Sequence, residues 1–250
     1  MKKTRSLINL LVLLLIFSAC KEETEINSTL NDNYIKLVVQ PYFGNNILNL
    51  DATHSTQEGY DIQFTDIKFY FQDVRFNNEQ LVGVSLFDYR LQGDLLIRLN
   101  SELSDTTGTL TGNIGIEAGL NHLDPSGFPN ESMLNIVNAN DMHWDWNPGY
   151  IFVKIEAKVD TIPDGIALFN HNVIYHVGLD ENMQTLSIPD LSAVKVENEN
   201  IFSLKLDMKA FLEGPQVIDV KTEFSSHSAA GQEALTLKVL QNFNASLTSF

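Results

Sequence analysis

Between residues 34 and 250, polar and apolar side chains alternate repeatedly with a period of two. That pattern buries one face of a β-strand and leaves the other in water. It is cleanest over 150–159, where Ile151, Val153, Ile155 and Val159 point one way and Lys154, Glu156 and Lys158 the other. Phe202, Leu204 and Leu206 alternate in the same way with Ser203, Lys205 and Asp207, as do Ile35, Leu37 and Val39 around Lys36. Ile62 and Phe64 give way to the opposite parity at Ile67, Phe69 and Phe71, and Val74 and Phe76 switch back, which places a bulge near Asp73. Further strands are expected at 81–89, 95–99, 109–118, 173–179, 184–188 and 201–206, separated by Gly, Asn and Asp. The fold class is therefore mainly β, an antiparallel β-sandwich. A long loop insertion is expected at 121–140, carrying Pro125, Gly127 and Pro129 and one helical turn at 132–138. A single helical turn is expected at 208–212, and a short C-terminal helix at 231–244, where Leu235, Val239, Leu240 and Phe243 approach helical spacing. With no internal repeat or linker, 34–250 reads as one domain.

The N-terminus reads as an address. Lys2, Lys3 and Arg5 precede an apolar run over 7–17, interrupted only by Asn9, and then Ser18-Ala19-Cys20. The run is too short to span a bilayer comfortably, so a cleaved signal is expected. The stretch resembles a bacterial lipobox. That resemblance implies removal of 1–19, lipidation of Cys20, and residence as an outer-membrane lipoprotein on the periplasmic or cell-surface face. Lys21-Glu22-Glu23 resembles an export tag to the outer surface, and the polar, acidic stretch 20–33 reads as a flexible tether. The lipid is the expected membrane contact. Lys plus Arg number 16 against 32 acids, a formal charge of -16, which opposes both nucleic acid and anionic headgroups as partners. Cys20 is the lone cysteine, excluding an internal disulfide and any multi-cysteine metal site.

Chemistry concentrates in Asp141-Met142-His143-Trp144-Asp145-Trp146-Asn147-Pro148-Gly149-Tyr150, which holds both tryptophans of the chain. On a strand, Trp144 and Trp146 share one face and His143 and Asp145 the other. Such a segment suits a dry wall beside a nitrogen ligand. From the residues alone the plainer reading is a Trp pair packing the edge of a sandwich, with the His bonded to backbone. His176 lies in the apolar stretch Ile174–Gly178, where a satisfied core residue is the plainer reading. His227, within Ser226-His227-Ser228, suits an N-cap or loop, and His54 sits in a polar loop. His-Glu-x-x-His spacing, phosphate loops and nucleophile elbows are all missing from the sequence, so binding rather than catalysis is expected.

Several separated segments resemble the copper-binding MbnP-like family of methanobactin-associated lipoproteins. They are the aromatic strand from Phe64 to Phe76, the run Met142-His143-Trp144-Asp145-Trp146-Asn147-Pro148-Gly149-Tyr150 with Lys154 and Glu156, Tyr175-His176-Val177-Gly178, and Ser226-His227 followed by Leu235 to Phe243. The resemblance implies copper as cofactor, held by histidines and by a tryptophan oxidised to kynurenine, with a di-haem cytochrome c peroxidase-type protein as the oxidising partner. Carried onto this chain, it makes Trp144 the first choice for the modified residue and Trp146 the second. His176 and His143 become the leading nitrogen ligands, and His227 and His54 further candidates. The implied role is copper uptake or storage. Imidazole suits copper, and a low-coordinate pair of imidazoles favours Cu(I). The competing reading is a metal-free β-sandwich surface lipoprotein that binds a glycan or protein partner, with the tryptophans as a stacking platform. A metal-dependent enzyme ranks last.

Overall fold

The computed structural model describes residues 33–139, 141–144, 149–162 and 164–250. The expected signal, Cys20, the tether up to residue 32 and Trp146 lie outside the described residues. The strands in chain order are β1 (Tyr34–Phe43), β2 (Asn46–Ile47), β3 (His54–Ser55), β4 (Asp61–Phe76), β5 (Glu79–Asp88), β6 (Leu95–Asn100) and β7 (Thr107–Ile114). After the insertion come β8 (Ile151–Asp160), β9 (His171–Gly178), β10 (Gln184–Ser192), β11 (Val194–Val196), β12 (Glu199–Asp207), β13 (Ser225–Ser226) and β14 (Leu247–Ser249). The helices are α1 (Tyr89–Gln92), α2 (Ala118–Asn121), α3 (Met208–Glu213) and α4 (Glu233–Ser246).

Two sheets result. One runs β11-β12-β1-β2, with β14 also on β12 and β6 also on β1; the other runs β10-β7-β4-β8-β9-β13, with β3 and β5 also on β4. The chain is thus mainly β, as the alternation requires. Two of the described ladders are parallel, β1 with β12 and β13 with β9, and the others are antiparallel.

The long central strand β4 explains the parity switches. Its register shifts once between Phe64 and Asp66 against β8 and again between Gln72 and Arg75 against β7. Each bulge adds one residue and reverses which side chains face inward. Ile62, Phe64, Ile67, Phe69, Phe71, Val74 and Phe76 consequently all reach the same core between the sheets. Asp73 takes φ 48° at the second bulge. The price of keeping the apolar residues inward is that Asp66, Lys68, Tyr70 and Gln72 share the opposite face, where all four are buried.

The cause of that burial is the insertion, which spans 115–150 and is longer than the sequence pattern indicates. It leaves β7 and enters β8, which are separated in the sheet by β4, so it crosses the outer face of the central strand. Residues 132–138 form successive turns rather than the expected helical turn: Asn135 N–H donates to the Ser132 carbonyl and Asn138 N–H to that of Asn135. Beneath the insertion lies a second core of Tyr70, Leu86, Ile116, Leu134, Ala139, Met142, Trp144, Tyr150, Ile151 and Phe152. α3 and α4 fall where helices are expected. The Asp207 carboxylate caps α3, accepting from the N–H groups of Lys209 and Ala210. Among the described residues no helix is long and apolar enough to cross a membrane.

Candidate functional site

The end of the insertion is fixed at three points. The first is hydrogen bonding around Tyr150, whose hydroxyl donates to the Leu134 carbonyl. Its ring meets that of Tyr70 edge-on at 5.6 Å, and the Tyr70 hydroxyl donates to the Met133 carbonyl at 3.1 Å. Burial pushes the Tyr150 phenol up to about 12 and raises that of Tyr70, so both remain donors. The second point is Asn121, fully buried at the end of α2. Its Oδ1 accepts from Tyr150 N–H at 2.7 Å, and its Nδ2 donates to Asp180 at 2.7 Å. Gly149 passes so close, at φ 132°, that a Cβ there would lie 2.7 Å from Asn121 Oδ1.

The third point is ionic. Asp141, at φ 59°, offers one carboxylate oxygen to Lys68 Nζ at 2.7 Å and the other to Lys154 Nζ. Lys68 also touches Asp88 at 3.3 Å and Asp66 at 3.4 Å. Lys154 touches Asp66 at 3.2 Å and Glu156 at 3.4 Å. The two lysine side chains are 10% and 6% exposed. Such burial alone would lower their pKa values. The hydrogen bonds they donate to Asp141 and the surrounding carboxylate charges outweigh it, and both are raised. These groups, with Thr65 and Arg90, line a cleft of about 430 Å³ on the outer face of the sheet.

The clamp delivers Trp144 onto β9. The indole is 6% exposed, and a Cβ at Gly178 would meet its Cη2 and Cζ3 at 2.7 Å and the Tyr150 carbonyl oxygen at 2.5 Å. Gly178 is thus the notch that admits the ring. His176 lies two residues earlier and, by the pleat, on the same face of β9. Its Nε2 lies 2.8 Å from Glu156 Oε1.

His227 arrives from the other side. The two-residue strand β13 runs parallel to β9, with Ser225 opposite Ile174 and Ser226 opposite Tyr175. One step further along this register, His227 stands abreast of His176, and the two rings meet edge-on with centroids 5.1 Å apart. The segment is pinned in several ways. Ser226 Oγ is 2.7 Å from Thr236 Oγ1 of α4, His227 N–H donates to Gln232 Oε1 at 2.7 Å, and Gly178 N–H donates to Ser228 Oγ at 3.2 Å.

The structure therefore brings His176 and His227 together, packs Trp144 on Gly178 two residues along β9 from His176, and places the other two histidine candidates elsewhere. Consecutive side chains alternate, so His143 leaves the chain on the side opposite Trp144. Its ring packs edge-on against Tyr150 at 5.0 Å, within electrostatic reach of Asp124. His54 stacks on Phe43 at 4.6 Å, among inner-face residues. It lies opposite Ile62, which pairs through Val159 to His171 of β9. His176 is five residues along that strand, roughly 16 Å away. His54 thus belongs to the far end of the sandwich. Among the described residues no three His, Cys, Asp or Glu side chains converge into a ready-made metal centre. The pair offers two imidazoles beside an apolar wall. Nothing in the sequence marks Asn121, and Lys68, Asp141, Lys154 and Glu156 enter there only as parts of the aromatic strand and the tryptophan segment. The available signal is the same-face spacing of Asp66 with Lys68 and of Lys154 with Glu156, on strands whose polar residues would ordinarily face water.

The electrostatics make the metal-free fold acid-sensitive in two windows. Burial, and then the charge of His176, hold the His227 pKa below 6.5. Protonation of His227 therefore favours the unfolded chain, and its contribution is lost as pH falls below 6.5. Glu156 is held at about 2, chiefly by the hydrogen bond with His176 against the opposing effect of burial. Its contribution is present above the ordinary value of 4.5 and is lost between there and 2. Urea midpoints followed from pH 7.5 to 3 should fall gently below 6.5 and more steeply below 4.5. His227→Gln should reduce the first limb, to which His54, also lowered by burial, contributes, and Glu156→Gln should reduce the second. A midpoint independent of pH between 7 and 5 would contradict the His227 assignment.

Comparison with known proteins places these residues in context. The MbnP family profile matches residues 32–230, a range that includes His143, Trp144, His176 and His227. A solved structure, MbnP from Methylosinus trichosporium, is 15% identical, with a TM-score of 0.46 over 74% of this chain and 78% of that chain. No curated protein sequence matches. With the family profile extending over most of its length, the chain belongs to the MbnP family.

Proposed function

We propose that this protein is a cell-envelope lipoprotein that binds copper through His176 and His227 beside Trp144, for uptake or storage. The observation that carries this reading is the meeting of two histidines 51 positions apart in sequence, their ring centroids separated by 5.1 Å. The donor set fits the metal. Two imidazoles with an apolar neighbour suit Cu(I), whose low coordination number needs few ligands. His227 is held neutral by burial, which keeps a nitrogen lone pair available. Trp144, buried on Gly178 two residues along β9 from His176, is the proposed apolar neighbour of the site. Oxidation of this residue to kynurenine, by a di-haem cytochrome c peroxidase-type partner, is part of the proposal and would add donor atoms to the two imidazoles. Cys20 is the proposed lipid anchor, and binding rather than turnover the proposed activity. The burial of Trp144 argues against its use as an open stacking platform for a glycan.

The test is copper titration of the native protein under reducing conditions against a competing Cu(I) chelator, with metal quantification and peptide mass spectrometry of the Trp144 segment on the same sample. One copper per chain is expected. His176→Ala and His227→Ala should each weaken binding at least about 100-fold, the loss of one of two strong ligands (roughly 3 kcal/mol by the tenfold-per-1.4 kcal/mol relation). His54→Ala should leave it unchanged. Undiminished affinity in the His176,His227 double variant would end the proposal.

A further inference from the structure

A histidine can offer a metal either ring nitrogen, and the choice is set by what holds the other one. On the polar face of β8 and β9, Glu156 Oε1 receives both His176 Nε2, at 2.8 Å, and Lys154 Nζ, at 3.4 Å. Glu156 faces Ile174 in the ladder and so reaches His176 diagonally, while Lys154 lies directly opposite His176. A carboxylate can only accept, so the imidazole nitrogen it touches carries the proton, and in the neutral ring the lone pair falls on Nδ1. The same lysine grips Asp141, three residues before the indole that packs on Gly178.

We infer that Glu156 is a positioning residue for the histidine pair: it fixes His176 as the Nε2–H tautomer, selects Nδ1 as the nitrogen presented to a metal, and joins this choice through Lys154 and Asp141 to the placement of Trp144. The inference rests on the copper reading for the identity of the metal. The tautomer itself is a property of the metal-free protein.

The two parts are therefore measured separately. Long-range 1H–15N correlation spectra of the metal-free, 15N-labelled full chain in detergent report which nitrogen of His176 is protonated. A pyrrole-type Nε2 and a pyridine-type Nδ1 are expected. Glu156→Leu should scramble the tautomers and weaken Cu(I) binding by 10- to 100-fold, the usual effect of removing a carboxylate behind a ligating imidazole. Glu156→Gln retains an accepting oxygen. It should restore the tautomer and bring affinity to within about threefold of wild type, a rescue that a purely structural role does not predict. A wild-type His176 protonated on Nδ1 overturns the inference without any variant. So does Glu156→Leu with unchanged tautomer and unchanged affinity. Wild-type protein with the Nε2–H tautomer that takes up no copper overturns the copper reading and supports the positional assignment.

Discussion

Gly178→Ala is expected to dislodge Trp144 and destabilise the fold by about 3 kcal/mol. The new methyl carbon would stand 2.5 Å from the Tyr150 carbonyl oxygen and 2.7 Å from two indole carbons. The first of these neighbours is backbone, held in place by the bonds of Asn121 and by the ladder of β8 and β9. It cannot retreat as a flexible side chain would. The ring has to move instead, forfeiting most of the benefit of burying a large aromatic surface, while overpacking adds its own cost of 1–3 kcal/mol by the usual range. The result should appear as a lower urea midpoint together with red-shifted Trp144 emission, recorded in a Trp146→Phe background of protein produced without the oxidising partner, so that one unmodified indole reports. Neither His176 nor His227 supplies the atoms nearest the methyl, so the proposed copper binding should weaken less than it does in their own variants. Unshifted emission with a midpoint within experimental error of wild type would show that Trp144 does not rest on Gly178.

Lys154→Met is expected to cost a similar amount, about 2–3 kcal/mol, for an electrostatic reason. Methionine matches the apolar stem and leaves packing nearly intact. What disappears is the ammonium that neutralises Asp66, Asp141 and Glu156. Removing one partner of a buried ion cluster usually costs 3–5 kcal/mol because the remaining charges stay desolvated. Here Lys68 still reaches Asp66 and Asp141, and the Asp141 side chain is more than half exposed, which lowers the figure. Glu156 loses more, being beyond the contacts of Lys68. The insertion should open before the sheets do, so proteolytic cleavage within 121–140 should accelerate under conditions where the sandwich persists. A stability change under about 0.5 kcal/mol, with unaltered cleavage, would mean that the clamp contributes no more than an ordinary surface salt bridge.

Much of the sandwich was legible because one side of each strand faces a dry core. The parity switches in β4 even marked the bulge at Asp73; the same logic, applied to Phe64 and Ile67, locates the other. The helical turn expected at 132–138 was misread because Asn and Ser bond to nearby backbone in turns as readily as in a helix; the Asn135 side chain does so with Val137 N–H. The histidine pair was only half legible. His176 stood out as a polar residue in an apolar strand, whereas Ser-His-Ser shows no strand pattern. Its place beside β9 comes from a parallel contact two residues long, anchored by Thr236 and Gln232 of a different element. His143 and His54 have the same side chain, and the course of the backbone places their rings against Tyr150 and Phe43 instead. Lys154 and Glu156 looked like ordinary wet-face residues because nothing local reveals that an insertion crosses above them.

The pairing of β1 with β12 has a consequence for biosynthesis. A parallel ladder cannot be closed by a tight turn, and here it joins residues 34–42 to 199–207. As the polypeptide is made from its amino end, the earliest strand must wait for more than 150 further residues before this neighbour exists. Until then one side of Leu37 and Val39 lacks its companion, a naked edge of the kind that recruits other chains. Products ending before residue 207 should therefore clump rather than fold, which sedimentation of truncated chains checks.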